Sequence, residues 1–215
     1  MKLISVNVGV PRTVIWKRQL VTTGIFKEPI TGRLRLRRLN LDGDKQADLS
    51  VHGGPSKAVY VYPAEHYQYW REQLPEMDLL WGMFGENLTT QGLLEDGVNI
   101  GDRLRIGSAE VIVTQPRMPC FKLALKFGRD DIIKRFLRSG RSGFYLAVVR
   151  EGEVGAGDDV EIIYRDPSHI TVADIIRLDG VEKDNLALLH RALQVEALSE
   201  SWRDHFRRQI EILDK

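Results

Sequence analysis

The 215-residue chain has a single cysteine, Cys120. One thiol permits no internal disulfide, and it cannot by itself hold an iron–sulfur cluster, which takes several thiolates. Electrons for any redox chemistry would therefore come from outside the chain. No apolar run approaches the ~20 residues that span a bilayer. The opening string MKLISVNVGV alternates like a strand and has no long apolar core of a signal peptide. With the lone thiol, these absences give the expectation of a cytoplasmic protein without a membrane partner. A net charge of +1 supplies no general pull toward nucleic acid. The arginines of RLRLRRLNL, residues 33–41, fit the solvated face of an amphipathic strand better than a nucleic-acid stripe. Other signatures are missing as well. Gly155-Ala156-Gly157 lacks the third glycine and following helix of a dinucleotide fingerprint. Asp42, Asp44 and Asp48 lack the spacing of a calcium loop and read as turn residues.

What is present is a succession of short strand-like runs separated by glycine and proline. Residues 2–8 read as a strand closed by Gly9 and Pro11, and residues 14–21 as a second. The alternation of residues 33–41 breaks phase at Arg37-Arg38, which implies a bulge or a change of buried face. A strand at 58–62 leads into an aromatic-rich helix opened by Pro63 and running to Leu74. A strand-like run at 110–115 precedes a helix at 129–139, and residues 144–149 and 160–164 look like hairpin partners around Glu151-Gly152. After Asp166-Pro167 the pattern turns helical. Thr171 and Asp174 form a capping-box pair, residues 186–198 and 200–213 continue as helices, and Ser199 caps the last. Trp202, Phe206, Ile210 and Leu213 fall on one stripe that needs a partner surface, either the body or a second copy of the chain in a homodimer. The chain thus divides into a β-rich body, residues 1–165, and a small three-helix bundle, residues 166–215, expected to support the body and supply no chemistry. His169, His190 and His205 are scattered there without a ligand pattern.

The candidate chemistry lies in the body. In VTQPRMPCFKL, residues 113–123, Pro116 and Pro119 bracket Arg117, so the chain leaves its strand by a stiff extended turn. Cys120 follows at once. Such a rigid base suits a reactive or ligating thiol, and a nearby arginine favours thiolate and can receive an anion. The alternative is a small buried hydrophobe. His52-Gly53-Gly54-Pro55-Ser56-Lys57 joins two flexible glycines to donors suited to an oxyanion, without P-loop spacing; as an isolated string it also serves as a tight turn into a strand. Gly85-Glu86-Asn87 can present an amide and a carboxylate to a ligand, or equally cap neighbouring backbone.

In order, HGGPSKAVYVYPAEHYQYW, FGENLT and GDRLRIGSAEVIVTQPRMPCFKL resemble the signature blocks of the MOSC family, named from the molybdenum cofactor sulfurase C-terminal domain. The helical tail resembles that of the YiiM branch, in which a three-helix domain follows. The resemblance covers nearly the whole chain, and the PRxPCxKL block is its most specific part. It implies a mostly β fold, a closed and largely antiparallel β-barrel with a few inserted helices. It also implies molybdenum cofactor, with Cys120 as the metal ligand or the carrier of sulfur bound for it, since a thiolate matches a soft metal. Ser56, Lys57 and Arg117 would then cradle the pterin phosphate, Asn87 would bond the pterin edge, and His52 would act as an acid facing substrate or behind the ligand. The activity implied is reduction of small N-hydroxylated compounds such as N-hydroxylated bases, amidoximes and hydroxylamines. An external flavin-type reductase would supply the electrons. The alternative is a carrier of the cofactor, or of a persulfide on Cys120, without turnover of its own.

Overall fold

A computed structural model describes residues 1–47 and 53–214. The opening strand β1 (Lys2–Val8) leads to a hairpin of β2 (Arg12–Trp16) and β3 (Gln19–Thr23), where one strand was expected over 14–21. The turn is made by Lys17 and Arg18, both with positive φ, 49° and 66°. Neither is a usual turn residue, so no glycine, asparagine or proline betrays the reversal. β4 (Glu28–Pro29), β5 (Arg33–Arg37) and β6 (Asn40–Leu41) follow, and β5 and β6 are antiparallel partners. The phase break at Arg37-Arg38 is therefore a hairpin, not a bulge.

β7 (Val59–Pro63) crosses through α1 (Glu65–Gln73) to β8 (Leu88–Gln91), which lies parallel to β7. Pro63 ends the strand instead of opening the helix. β9 (Arg103–Ile106) and β10 (Ala109–Pro116) form a hairpin, and α2 (Phe121–Phe127) and α3 (Ile132–Ser139) come next. β11 (Phe144–Arg150) returns between β10 and β7. The presumed hairpin of 144–149 with 160–164 does not form, because β12 (Gly152–Gly155) turns aside to β5 and β13 (Val160–Tyr164) pairs with β9.

The main sheet has eight strands in the order β13-β9-β10-β11-β7-β8-β1-β4. It is not a closed barrel, which corrects the expectation from family resemblance. Its ends, β13 and the two-residue β4, do not pair; the start of the chain meets the approach to β13 at an isolated bridge of Lys2 with Asp159 and through backbone bonds from Leu3 N to Asp158 O, Gly157 N to Leu3 O and Val160 N to Met1 O. Two smaller sheets stand apart. Strand alternation in a sequence reports a buried face but carries no information on whether the last strand meets the first. Nor is the chain mostly β, with 27% helix against 32% strand.

Three helices end the chain, α4 (Val172–Asp179), α5 (Leu186–Leu193) and α6 (Glu200–Leu213). The Thr171–Asp174 capping box is formed in both directions. Ser199 occupies the cap position of α6 without making a side-chain cap bond. Trp202, Phe206 and Ile210 join one apolar cluster with Leu104, Val111 and Val113 of the sheet, so the stripe meets the body of its own chain. Leu213 falls outside the stripe and is exposed. A second, aromatic cluster gathers Tyr62, Tyr67, Trp70, Phe84 and Phe136 beneath α1, α2 and α3, with Trp70 Nε1 donating to the Tyr62 hydroxyl at 2.8 Å. The Tyr62 and Phe84 rings stack with centroids 4.4 Å apart and those of Trp70 and Phe136 at 6.2 Å, which adds to what burial alone contributes. The cleft described next opens beside this cluster.

Candidate functional site

β10 points the special segment into place. Beyond Pro116, Arg117 keeps an extended course, its amide donating to Gly143 O at 3.3 Å. Gly143 has φ 61°, and a Cβ there would lie 2.3 Å from Val61 O and 2.8 Å from Tyr60 Cε2, so a side chain is excluded. Cys120 then takes the cap position of α2 with extended backbone, φ −120° and ψ 172°, and its carbonyl accepts from Leu123 N. This helix was not expected, because no Ser, Thr, Asp or Asn stands at its start to announce it. The free thiol is half-buried.

Thr114, on β10 three residues before Arg117, reaches across to the 3-10 turn Pro55–Lys57. Its hydroxyl lies 2.7 Å from Ser56 O and 3.0 Å from Tyr145 O on β11. Lys57 is thereby brought to the same cleft as Cys120 and Arg117. Gly53 also lines it, and Gly53 and Gly54 have φ 89° and 88°, the freedom expected of them. Ser56 gives its carbonyl to Thr114 and is not among the lining residues. His52 and Asp48 lie outside the described residues.

The cleft encloses about 680 Å³, its open mouth included. Lys27, Lys45, Lys57, Arg117 and Lys122 line it, and among its described lining residues there is no carboxylate. Lys27 and Lys45 escaped the sequence reading, since each is a lone lysine in an unremarkable string, and Lys122 was given no role although it stands in the PRxPCxKL block. Arg117 is 5% exposed, and its guanidinium packs 5.3 Å from the Tyr60 ring centroid and 5.1 Å from that of Phe136. Its Nη1 is buried with no hydrogen-bond partner. A buried cation whose donor is unmatched is a place where an anion would be gripped. Burial raises the Tyr60 and Tyr145 hydroxyls above the usual phenol value although Arg117 opposes it, so both stay protonated.

Asn87 lines the cleft too, but its amide is engaged. Oδ1 accepts from Tyr60 N at 3.2 Å, and Nδ2 donates to Asp44 Oδ2 at 2.9 Å and Asn7 O at 3.4 Å. Asp44, read as a turn residue, is buried and also holds Gly9 N and the Lys27 ammonium. Burial lowers the Lys27 pKa, and Asp44 works against that shift. Glu86 is fully buried and accepts from Tyr67 Oη, Gly82 N, Phe84 N and Thr89 Oγ1. Burial raises its pKa. Close behind, Lys126 donates to Ile25 O at 3.0 Å and Gly82 O at 2.5 Å, and burial lowers its pKa to about 8.

The model of the MOSC domain matches residues 48–161, and that of the YiiM-like 3-alpha helix domain matches residues 170–212. The chain belongs to the MOSC family, in its YiiM-like form. Protein YflK of Bacillus subtilis (strain 168) is 45% identical over 95% of this chain and 92% of its own length. The crystal structure of YiiM from Geobacillus stearothermophilus superposes with a TM-score of 0.82 at 35% identity, covering 97% of this chain and 98% of that one. A protein named "Reductase" from Gibberella moniliformis (strain M3125 / FGSC 7600) is 34% identical over 81% of this chain but only 32% of its own length. MOSC domains are associated with molybdenum cofactor binding in general. The residues here fit such a group. A buried arginine with an unmatched donor and a soft sulfur donor line one cleft. No cluster of three or more His, Cys, Asp or Glu able to hold a metal occurs among the described residues. No helix of the described residues is long and apolar enough to cross a membrane.

Proposed function

We propose that this MOSC protein binds molybdenum cofactor in the cationic cleft and reduces small N-hydroxylated compounds there. The observation that carries the reading is Arg117, a guanidinium almost wholly buried in the cleft wall with Nη1 unmatched. A phosphate is the partner that such a donor lacks, and Lys57 stands in the same cleft to share its charge. Cys120 would supply the protein's sulfur ligand from a base stiffened by Pro119 and the first turn of α2. When bound, the cofactor would supply the two-electron reducing chemistry that takes oxygen from an N–OH group. Tyr145, held protonated by burial, would keep a donor on the cleft wall, whereas the Tyr60 hydroxyl gives its proton to Ser142 O at 2.8 Å. Electrons would come from an external reductase of the flavin type, because the chain has neither a nicotinamide fingerprint nor cluster ligands.

Elemental analysis of protein from a cofactor-competent host, beside protein from a host unable to make the cofactor, tests this directly. Near-stoichiometric molybdenum in the first only, with turnover of an amidoxime under an artificial electron donor, is the expected result. A metal-free protein bearing a transferable sulfur on Cys120 would replace the enzyme with the carrier.

A further inference from the structure

A second cavity, of about 860 Å³ with its mouth included, adjoins the cleft, and Lys57, Met118 and Tyr145 line both. Its other walls come from the two parts of the chain. The body gives Gln115, and the terminal helices give Asp179, Trp202, His205 and Arg208. Two buried polar atoms on these walls have no hydrogen-bond partner, Gln115 Oε1 and His205 Nε2. Gln115 is 3% exposed, so its unmatched carbonyl has no bulk water to turn to. His205 Nε2 stands 2.9 Å from Asp179 Oδ1, near enough for an ion pair but off the line that a hydrogen bond requires. The His205 ring is set edge-on against Trp202, 5.6 Å between centroids at 87°, so α6 holds its position.

We propose that this second cavity receives the body of the substrate. Gln115 Oε1 would accept an N–H or O–H of the ligand, and His205 would give the second polar contact. A lone buried acceptor selects a ligand that brings a donor, and amidoximes and hydroxylamines carry donors on the nitrogen and oxygen to be reduced. The cationic cleft would thus hold the cofactor while the neighbouring cavity, where an amide, an imidazole and an indole stand beside the charges of Lys57, Asp179 and Arg208, holds a polar molecule. This rests on the reading of the cleft as a cofactor site, but it assigns chemistry to the terminal helices, where none was expected. On this account Gln115 and His205 touch the substrate, and Asp179 is a positioning residue that acts through His205.

The test uses the full-length protein without cofactor and the probe benzamidoxime, with its fully N- and O-methylated analogue, which has no donors. Binding is followed by calorimetry. Wild type should bind benzamidoxime saturably and the methylated analogue far more weakly. Gln115→Met, close in shape but without the acceptor, should weaken benzamidoxime by about tenfold or more. His205→Leu should weaken it less, and Gln115→Glu, which keeps an acceptor, should restore part of the loss. Molybdenum content of Gln115→Met from a competent host should equal that of wild type. No saturable binding by wild type, or equal binding by wild type and Gln115→Met, would overturn the assignment. So would a loss of probe binding in Arg117→Ala alone, which would put the ligand in the first cleft. Failure of the cofactor reading shows separately, as absence of molybdenum from wild type.

Discussion

Glu86 and Asn87 on one loop, and Gln115 and Arg117 at the end of β10, are all within 5% of complete burial. Their polar atoms are treated in opposite ways. Glu86 accepts from four donors and Asn87 spends both ends of its amide on its own chain. Gln115 Oε1 and Arg117 Nη1 have no partner at all. An unmatched buried polar atom costs about 1–3 kcal/mol, so a folded chain retains few of them without a reason. Burial therefore does not separate scaffold from site in this protein. What separates them is whether the buried group is already matched.

Cys120→Ala should give the largest effect, complete loss of molybdenum with little change in thermal stability, read by elemental analysis beside a melting curve. If metal stays, the cysteine belongs with the scaffold. Glu86→Ala should come next. Stranding four donors should lower unfolding free energy by roughly 3 kcal/mol or more in a denaturant titration. A smaller change would show that the matched loop holds less than its bonds suggest. Arg117→Ala should do the reverse, reducing cofactor occupancy by roughly tenfold to a hundredfold, or about 1.5–3 kcal/mol, with less harm to the fold than Glu86→Ala. Lys57→Ala should move occupancy in the same direction. Occupancy equal to wild type in both variants at limiting cofactor would remove the anion cradle.

The smallest signal concerns Lys126, which belongs to the matched side. Its folded pKa of about 8 lies below the ordinary 10.5, so between those values the unfolded chain carries a proton that the folded chain lacks. Stability must then rise with pH across that window, by at most about 1.4 kcal/mol per pH unit. Lys126→Met should lack this rise in denaturant titrations at pH 8 and 10. Parallel slopes in the two proteins would mean that the lysine is not held away from its charge.

The string around Cys120 and the helical tail were legible because short motifs and 3.6-residue periodicity are local. The capping box at Thr171 is local as well, and it forms as read. Barrel closure was not legible, since it depends on whether β13 meets β4 and neither strand carries a mark of its neighbour. The Lys17-Arg18 turn was hidden by residues that seldom take positive φ. Asp44 was misread because a turn aspartate and a buried one look alike until Lys27 and Asn87 arrive from distant parts of the chain. His205 looked ordinary for the same reason. Nothing near it in sequence foretells Gln115 across the cavity.

The Thr114 hydroxyl has a single proton and two carbonyls within reach, Ser56 O and Tyr145 O. It can be given to only one of them at a time. The turn that bears Lys57 and the strand that bears Tyr145 therefore compete for the same tether, and both residues stand where the two cavities join. Whichever carbonyl is released becomes free to take a donor from elsewhere.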